Sequence, residues 1–380
     1  MSDDFIYFDC SATTQPYPEV LDTFLKVSRD DFANPSSNHA LGYQASAMLE
    51  KARAQSAKYL GCLPEEVIFT SGATEGNNLA IKGVAYHQKS WAKRLITTKA
   101  EHPSVLSVFK ELETEGFEVI YLDYDKDGKL DFQELEAALN EETSLVSIMA
   151  VNNETGYVFD IAKASSLIHR KSRAYLHVDA TQAIGKMILP KASYDLLTFS
   201  GHKIGGLKGS GILVKKKAVL LDPQILGGGQ EKGYRSGTSM LGLDCSLATA
   251  LRISTETLPQ RLKQAQQVNQ ALREGLSPMK EVVITSPKEA SPFILNFALT
   301  QHKGSVVAEA LSNAHIYVST TSACSSREVG KSYVLEAAGY DDVISANSIR
   351  LSFSGNETLE QVQVFLKTLT GILQALKAKE

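Results

Sequence analysis

Over the first two-thirds of the chain, short apolar runs alternate with segments of helical period. VIFT (67–70), RLITTK (94–99), FEVIYL (117–122), LVSIMAV (145–151), YLHVD (175–179), LLTFS (196–200) and GILVKK (211–216) have the length and composition of buried strands. Between them lie amphipathic stretches. AMLEKARAQSAKYLG (47–61) is one, and PSVLSVFKELETEG (103–116), with Val105, Phe109 and Leu112 on one face, is another. Such alternation predicts an α/β fold with a mostly parallel sheet. Functional groups are then expected at the carboxyl ends of the strands and on the loops that follow them.

After about residue 255 the pattern changes. A polar helical stretch (258–276) is followed by the strand-like runs VVITS and FILNFAL. Beyond these come another helix, a loop carrying Cys324, the strand SIRLSFS and a last amphipathic helix from Leu359 to Lys377. This predicts a large α/β domain over 16–255. A smaller α+β domain is expected from 256–380 together with residues 1–15.

A length of 380 residues accommodates that division. Hydrophobic content of 43%, charged content of 22% and a formal net charge of −4 without long single-sign runs give no sign of nucleic acid or a membrane surface as partner. MSDDFIYFDC lacks the basic and apolar segments of a secretory signal. The four cysteines, Cys10, Cys62, Cys245 and Cys324, are scattered, which suggests neither a zinc site nor a disulfide framework. A cytoplasmic location is the expectation, with room for one chemically special thiol.

Five strand ends carry polar groups of different kinds. FTSGATEGNN (69–78) enters a helix, so the amides of Ala73 and Thr74 and the Thr74 hydroxyl form an anion site suited to a phosphate, or an ordinary cap. SGHKIGGLKGSG (200–211) sets Lys203 after a strand, where desolvation would favour a neutral, nucleophilic amine over a solvated one. HVDATQAIGK (177–186) puts Asp179 at the end of an apolar strand. It needs a partner there, a cationic ring nitrogen or the turn's own amides, and Gln182 lies within reach. EHPSV (101–105) contributes His102 and VNNETG (151–156) contributes Asn153. Convergence of an amine, a carboxylate, an imidazole, an amide and a phosphate nest at one sheet edge is more than independent caps would supply.

These stretches, with GGGQEKGYRSGT (227–238), STTSACSS (319–326), SIRLSFSGNET (348–358) and YFDCSATT (7–14), resemble in order the motifs of the cysteine desulfurases. Those are class V aminotransferase-like, fold-type-I enzymes that use pyridoxal 5′-phosphate. The resemblance covers nearly the whole chain. It implies that Lys203 joins the cofactor covalently and moves the substrate α-proton, and that Asp179 pairs with the pyridinium nitrogen. His102 would stack on the ring, and Gln182 would bond its hydroxyl. Ala73, Thr74, Ser200 and His202 would hold the phosphate, joined by Thr238 from the other subunit of a homodimer. Asn153 and Arg350 would bind the carboxylate of L-cysteine.

By the same resemblance, Cys324 attacks the substrate sulfur, becomes a persulfide and passes sulfur to an acceptor protein, for iron–sulfur cluster assembly or tRNA thiolation. Thr321 stands where the family commonly has glycine, and Leu207 where it has proline. The spacing from Cys324 to Arg350 is that of the longer-loop members, which hand sulfur to partner proteins. A pyridoxal-phosphate β-lyase or aminotransferase is the alternative that would not need Cys324.

DYDKDGKLDFQELE (123–136) matches the calcium-loop pattern of the helix–loop–helix hand at Asp123, Asp125, Asp127, Gly128, Asp131 and Glu134. A calcium-responsive or scaffold protein is thus the reading from another class. The alternating run before Asp123 contradicts it, since the hand needs a helix there. Asp131 and Glu134 have instead the spacing of an N-cap and its reciprocal partner for FQELEAALN.

Overall fold

The computed structural model describes residues 5–190, 193–320 and 330–378. Thirteen strands lie within them. In chain order they are β1 (Ile6–Tyr7), β2 (Val67–Thr70), β3 (Arg94–Thr98), β4 (Glu118–Leu122), β5 (Thr143–Ser147), β6 (Tyr175–Asp179) and β7 (Leu196–Ser200). Then follow β8 (Gly211–Lys215), β9 (Val282–Ile284), β10 (Ile294–Leu299), β11 (Ile316–Tyr317), β12 (Ser319–Thr320) and β13 (Ser348–Ser352).

Seven strands form the main sheet in the order β2-β8-β7-β6-β5-β3-β4. Only β8 runs against its neighbours, pairing antiparallel with β2 and β7. All seven runs read as strands from the sequence are in this sheet. Alternate residues feed two separate cores. Phe69, Ile96, Val146, Leu197 and Val214 pack on one face, while Ile68, Leu95, Leu145, Leu196 and Leu213 pack on the other. Burial on both faces is why the inner strands carry adjacent apolar residues, while the edge strand β4 is only half-buried.

A four-stranded antiparallel sheet, β12-β13-β10-β9, forms a second layer with the helices Leu258–Leu276 and Leu359–Lys377. Its core gathers Phe297, Leu351, Phe353 and Phe365 together with Ile6 and Phe8 from the chain's beginning. β1 pairs with β11, Asp9 bridges to Ser352, and the carbonyls of Ser11 and Ala12 accept from Lys203 at the main sheet's carboxyl edge.

The 123–134 stretch leaves β4 as a strand, turns through an Asp125–Gly128 hydrogen bond and enters the helix Phe132–Ala138. Asp131 caps that helix, its Oδ1 accepting from Gln133 N and Glu134 N. The expected reciprocal bond departs in one detail. Glu134 Oε2 accepts from Asp123 N at 2.7 Å, because the Asp131 amide is already given to the Asp123 carbonyl. Among the described residues no group of three or more His, Cys, Asp or Glu is arranged to hold a metal ion. No helix among them is long and apolar enough to cross a membrane.

Candidate active site

Loops leaving β2, β3, β5, β6 and β7 meet at one edge of the main sheet around a cavity of about 140 Å³. Ala73, Thr74, His102, Asn153, Asp179, Gln182, Ser200, His202, Lys203 and Arg350 all line it. Thr238 does not: it lies in a separate cleft with Phe32 and Met240. Cys324 and Thr321 fall outside the described residues.

The anion nest begins at Gly72, whose φ of +151° precedes the helix Ala73–Gln88. A Cβ added to Gly72 would come within 3.3 Å of Ser200 Oγ, and one added to Gly211 within 2.6 Å of the Gly72 Cα. The close approach of β7 and β8 to this turn therefore depends on two missing side chains. Ala73 N donates to Ser200 Oγ at 2.7 Å. Glu75, in the first helical turn, would repel an anion, but Arg235 binds its carboxylate at 2.8 Å.

Asp179 is buried and held from two sides. Its Oδ1 accepts from Thr181 N at 3.0 Å and its Oδ2 from Asn77 Nδ2 at 2.9 Å. The same Asn77 nitrogen donates to Ser104 Oγ at 2.9 Å, and Ser104 Oγ stands 2.8 Å from His102 Nδ1. The Ser104 amide also donates to Nδ1. These partners make Nδ1 an acceptor and place the imidazole proton on Nε2. Burial lowers the His102 pKa, and the nearby Lys203 charge adds to this against the pull of Asp179. The ring is thus neutral at physiological pH.

Lys203 follows β7 on a short 3₁₀ turn, and its Nζ donates to the carbonyls of Ser11 and Ala12 at 2.6 and 2.8 Å. Gln182 Nε2 shares the Ser11 carbonyl at 3.1 Å. His202, whose Nδ1 is 3.1 Å from Thr13 Oγ1, has its pKa pushed down to about 4 by burial and by the surrounding Lys203, Lys208 and Lys186.

Arg350 reaches the cavity from β13. One nitrogen binds Asp9 at 2.8 Å and another donates to the Asn153 carbonyl at 2.9 Å. Among the described residues, Ser11 Oγ, Asn153 Oδ1, Thr181 Oγ1 and Arg350 Nε are buried without a hydrogen-bond partner. All four residues line the cavity. Buried polar atoms of that kind are costly unless a ligand or water satisfies them, so their clustering marks a place built to receive a polar guest.

Ser11, Asn77, Ser104 and Thr181 were not singled out as site residues from the sequence. Asn77 and Thr181 sit inside the stretches FTSGATEGNN and HVDATQAIGK, one helical turn and two residues from residues that were. Ser104 sits inside EHPSV and Ser11 inside YFDCSATT, but the contact of Ser11 with Lys203 depends on β1 pairing with β11, nearly the whole chain away.

The model of the family described as Aminotransferase class-V matches residues 6–365. A "NifS/IcsS protein homolog" of Lactobacillus delbrueckii subsp. bulgaricus is 40% identical over 374 residues, covering 97% of each chain. "Cysteine desulfurase IscS" of Klebsiella pneumoniae subsp. pneumoniae is 41% identical over 365 residues, covering 94% of this chain and 90% of that one. A solved structure titled "NIFS-LIKE PROTEIN" superposes with a TM-score of 0.92 at 38% identity, covering 97% of this chain and 99% of that one. The fold is that of the fold-type-I pyridoxal-phosphate enzymes, and the chain belongs to the class-V aminotransferase family, among its cysteine desulfurases.

Proposed function

We propose that this chain is a pyridoxal 5′-phosphate-dependent cysteine desulfurase. It removes sulfur from L-cysteine, releases L-alanine and carries the sulfur as a persulfide on Cys324. The observation that carries the reading is the single cavity in which Lys203, Asp179, His102, the Ala73–Thr74 amides and Arg350 meet.

The residues fit the cofactor. A helix N-terminus with Ser200 and His202 beside it suits the phosphate, and the unpaired Ser11, Asn153, Thr181 and Arg350 atoms offer polar partners. When bound, pyridoxal phosphate supplies an aldehyde that condenses with amines and a ring that withdraws electrons from the substrate α-carbon.

The protein does the rest. Lys203 supplies the amine and moves the α-proton. Asp179, fixed at both oxygens, holds a proton on the ring nitrogen. His102 presents a flat neutral face for stacking and an N–H at Nε2. Gln182 donates to the ring oxygen, and Asn153 and Arg350 orient the substrate carboxylate. The other thiols are poor nucleophiles, which favours Cys324 as the sulfur carrier. Burial pushes Cys62 up to about 11 and Cys245 up to about 12, and it raises Cys10 further.

The same reading makes the enzyme a cytoplasmic homodimer in which Thr238 completes the partner's phosphate site. Two features support the subunit contact. Phe32, 75% exposed, shares the Thr238 cleft. The segment before Thr238 is pinned by the buried Arg53–Glu231 pair at 2.7 Å and by Arg235–Glu75. The sulfur is delivered to an acceptor protein, for cluster assembly or tRNA thiolation.

Purified protein loaded with pyridoxal phosphate should be yellow and should convert cysteine and a reductant into equimolar alanine and sulfide. Lys203→Ala should lose the borohydride-reducible link to the cofactor. Alanine formation that persists unchanged in Cys324→Ser would refute the mechanism.

A further inference from the structure

Between the cavity and an outer cleft of about 520 Å³ stands a buried lysine, Lys186. It lies four residues beyond Gln182 in the turns that follow β6, and its Nζ donates to Gln182 Oε1 at 2.7 Å. Each of the two residues is only 3% exposed. On its other side the Gln182 carboxamide meets the Ser11 carbonyl, to which Nε2 donates at 3.1 Å.

These two partners decide which way the carboxamide points. An ammonium can only donate and a carbonyl can only accept. Flipping the amide would set its NH₂ against the ammonium and its oxygen against the Ser11 carbonyl. Both bonds would become like-with-like contacts in a dry site, where such contacts are most costly.

We infer that Lys186 is a positioning residue for the cofactor: by holding Gln182 Oε1 it leaves Gln182 only N–H groups to offer toward the cavity, so the amide recognises an acceptor such as the ring oxygen. The inference rests on the cofactor site proposed above.

Several groups face Lys186. They are Cys10 from the N-terminal segment, Lys203 from the turn after β7, Arg261 from the helix Leu258–Leu276 and Arg350 from β13, with Glu357 on the cleft side. Burial and the three cationic neighbours, opposed by Cys10, bring the Lys186 pKa down to about 7. A neutral amine can accept as well as donate. The lock is therefore tightest at and below neutral pH, and the Ser11 carbonyl alone holds the orientation above it.

The test compares the wild-type holoenzyme with Lys186→Met, Gln182→Leu and the double variant. The visible absorption of the bound cofactor is titrated against pH, and the melting temperature of each cofactor-free protein is recorded. A donor held at the ring oxygen disfavours a proton there. Its loss should move the absorption midpoint upward in Lys186→Met by roughly half a pH unit or more. Gln182→Leu should move it in the same direction, the double variant should match Gln182→Leu, and Lys186→Arg should keep the wild-type midpoint.

A Lys186→Met protein with the wild-type midpoint and a lowered melting temperature would reduce Lys186 to a structural part. Additive shifts in the double variant would show that it does not act through Gln182. Either result overturns the inference. Should Lys186→Met fail to fold, Lys186→Leu, which likewise offers no donor, is read in its place by the same criteria. A wild-type protein that takes up no pyridoxal phosphate would refute the site itself, whatever the variants do.

Discussion

Two polar constellations in this molecule look alike on paper and differ in one physical respect. The 123–134 loop has contiguous carboxylates at calcium-loop spacing, and the cavity has single polar groups scattered from Ser11 to Arg350. In the loop, the chain answers its own carboxylates. Asp125 Oδ1 takes the amides of Asp127 and Lys129, Asp131 takes those of Gln133 and Glu134, Glu134 takes that of Asp123, and Lys99 pairs with Asp123. In the cavity, buried atoms of Ser11, Asn153, Thr181 and Arg350 stay without partners among the described residues. Local satisfaction marks a connector, while convergent unsatisfied groups mark a site.

The strongest way to break this comparison is at Lys203. Lys203→Ala should cut alanine release from cysteine by roughly a thousandfold or more, because among the described residues no other lysine lines the cavity. A residual rate within tenfold of wild type would mean that the cavity is not where the chemistry happens.

Asn77→Ala should have the next largest effect. It removes the bond to Asp179 and frees Ser104 from its place beside His102. One charge-linked and one neutral hydrogen bond lost in a buried site correspond to a roughly ten- to hundredfold fall in kcat, with KM for cysteine little changed. A fall in KM alone would place Asn77 outside the network.

Glu101 sharpens the comparison from the stability side. It is fully buried beneath the cavity, and burial raises its pKa to about 8 despite bonds from Met149 N and Thr98. Between the unfolded carboxyl's ordinary pKa and about 8, the folded state holds a proton that the unfolded state releases. Stability contributed at low pH is therefore lost as pH rises through that window. Glu101→Gln should remove the loss and gain about 1–2 kcal/mol at pH 8, measured by denaturant unfolding at pH 6 and pH 8. An equal effect at both pH values would exclude the buried proton.

The smallest effect belongs to the loop. Asp131→Ala should cost about 1 kcal/mol through the lost helix cap and leave turnover unchanged. Millimolar calcium should not alter the melting temperature of the wild-type protein. A calcium-dependent rise abolished by Asp125→Asn would restore the calcium reading.

Strands were the most legible part of the fold, because burial on both sheet faces makes each a short apolar run of distinct length. The helices Leu258–Leu276 and Leu359–Lys377 were legible from their stripes. The helix Leu241–Glu256 was not, since its buried residues are not confined to one apolar stripe and include Asp244, Ser246 and Ser254. The same contrast holds in the cavity. Groups at strand ends, such as Asp179, His102 and Lys203, could be read from local pattern. Ser11 arrives by pairing across the chain, and Asn77 and Lys186 act through a neighbour's side chain. Spacing carries no sign of either.

Mapping the sulfur decides whether Cys324 carries it. The holoenzyme is mixed with one equivalent of cysteine without reductant, alkylated, digested and read by mass spectrometry while alanine is quantified. The account predicts one alanine per active site and one added sulfur atom, found on the peptide containing Cys324. Alanine formed with that peptide unmodified, or with the sulfur on Cys10, Cys62 or Cys245, would contradict it.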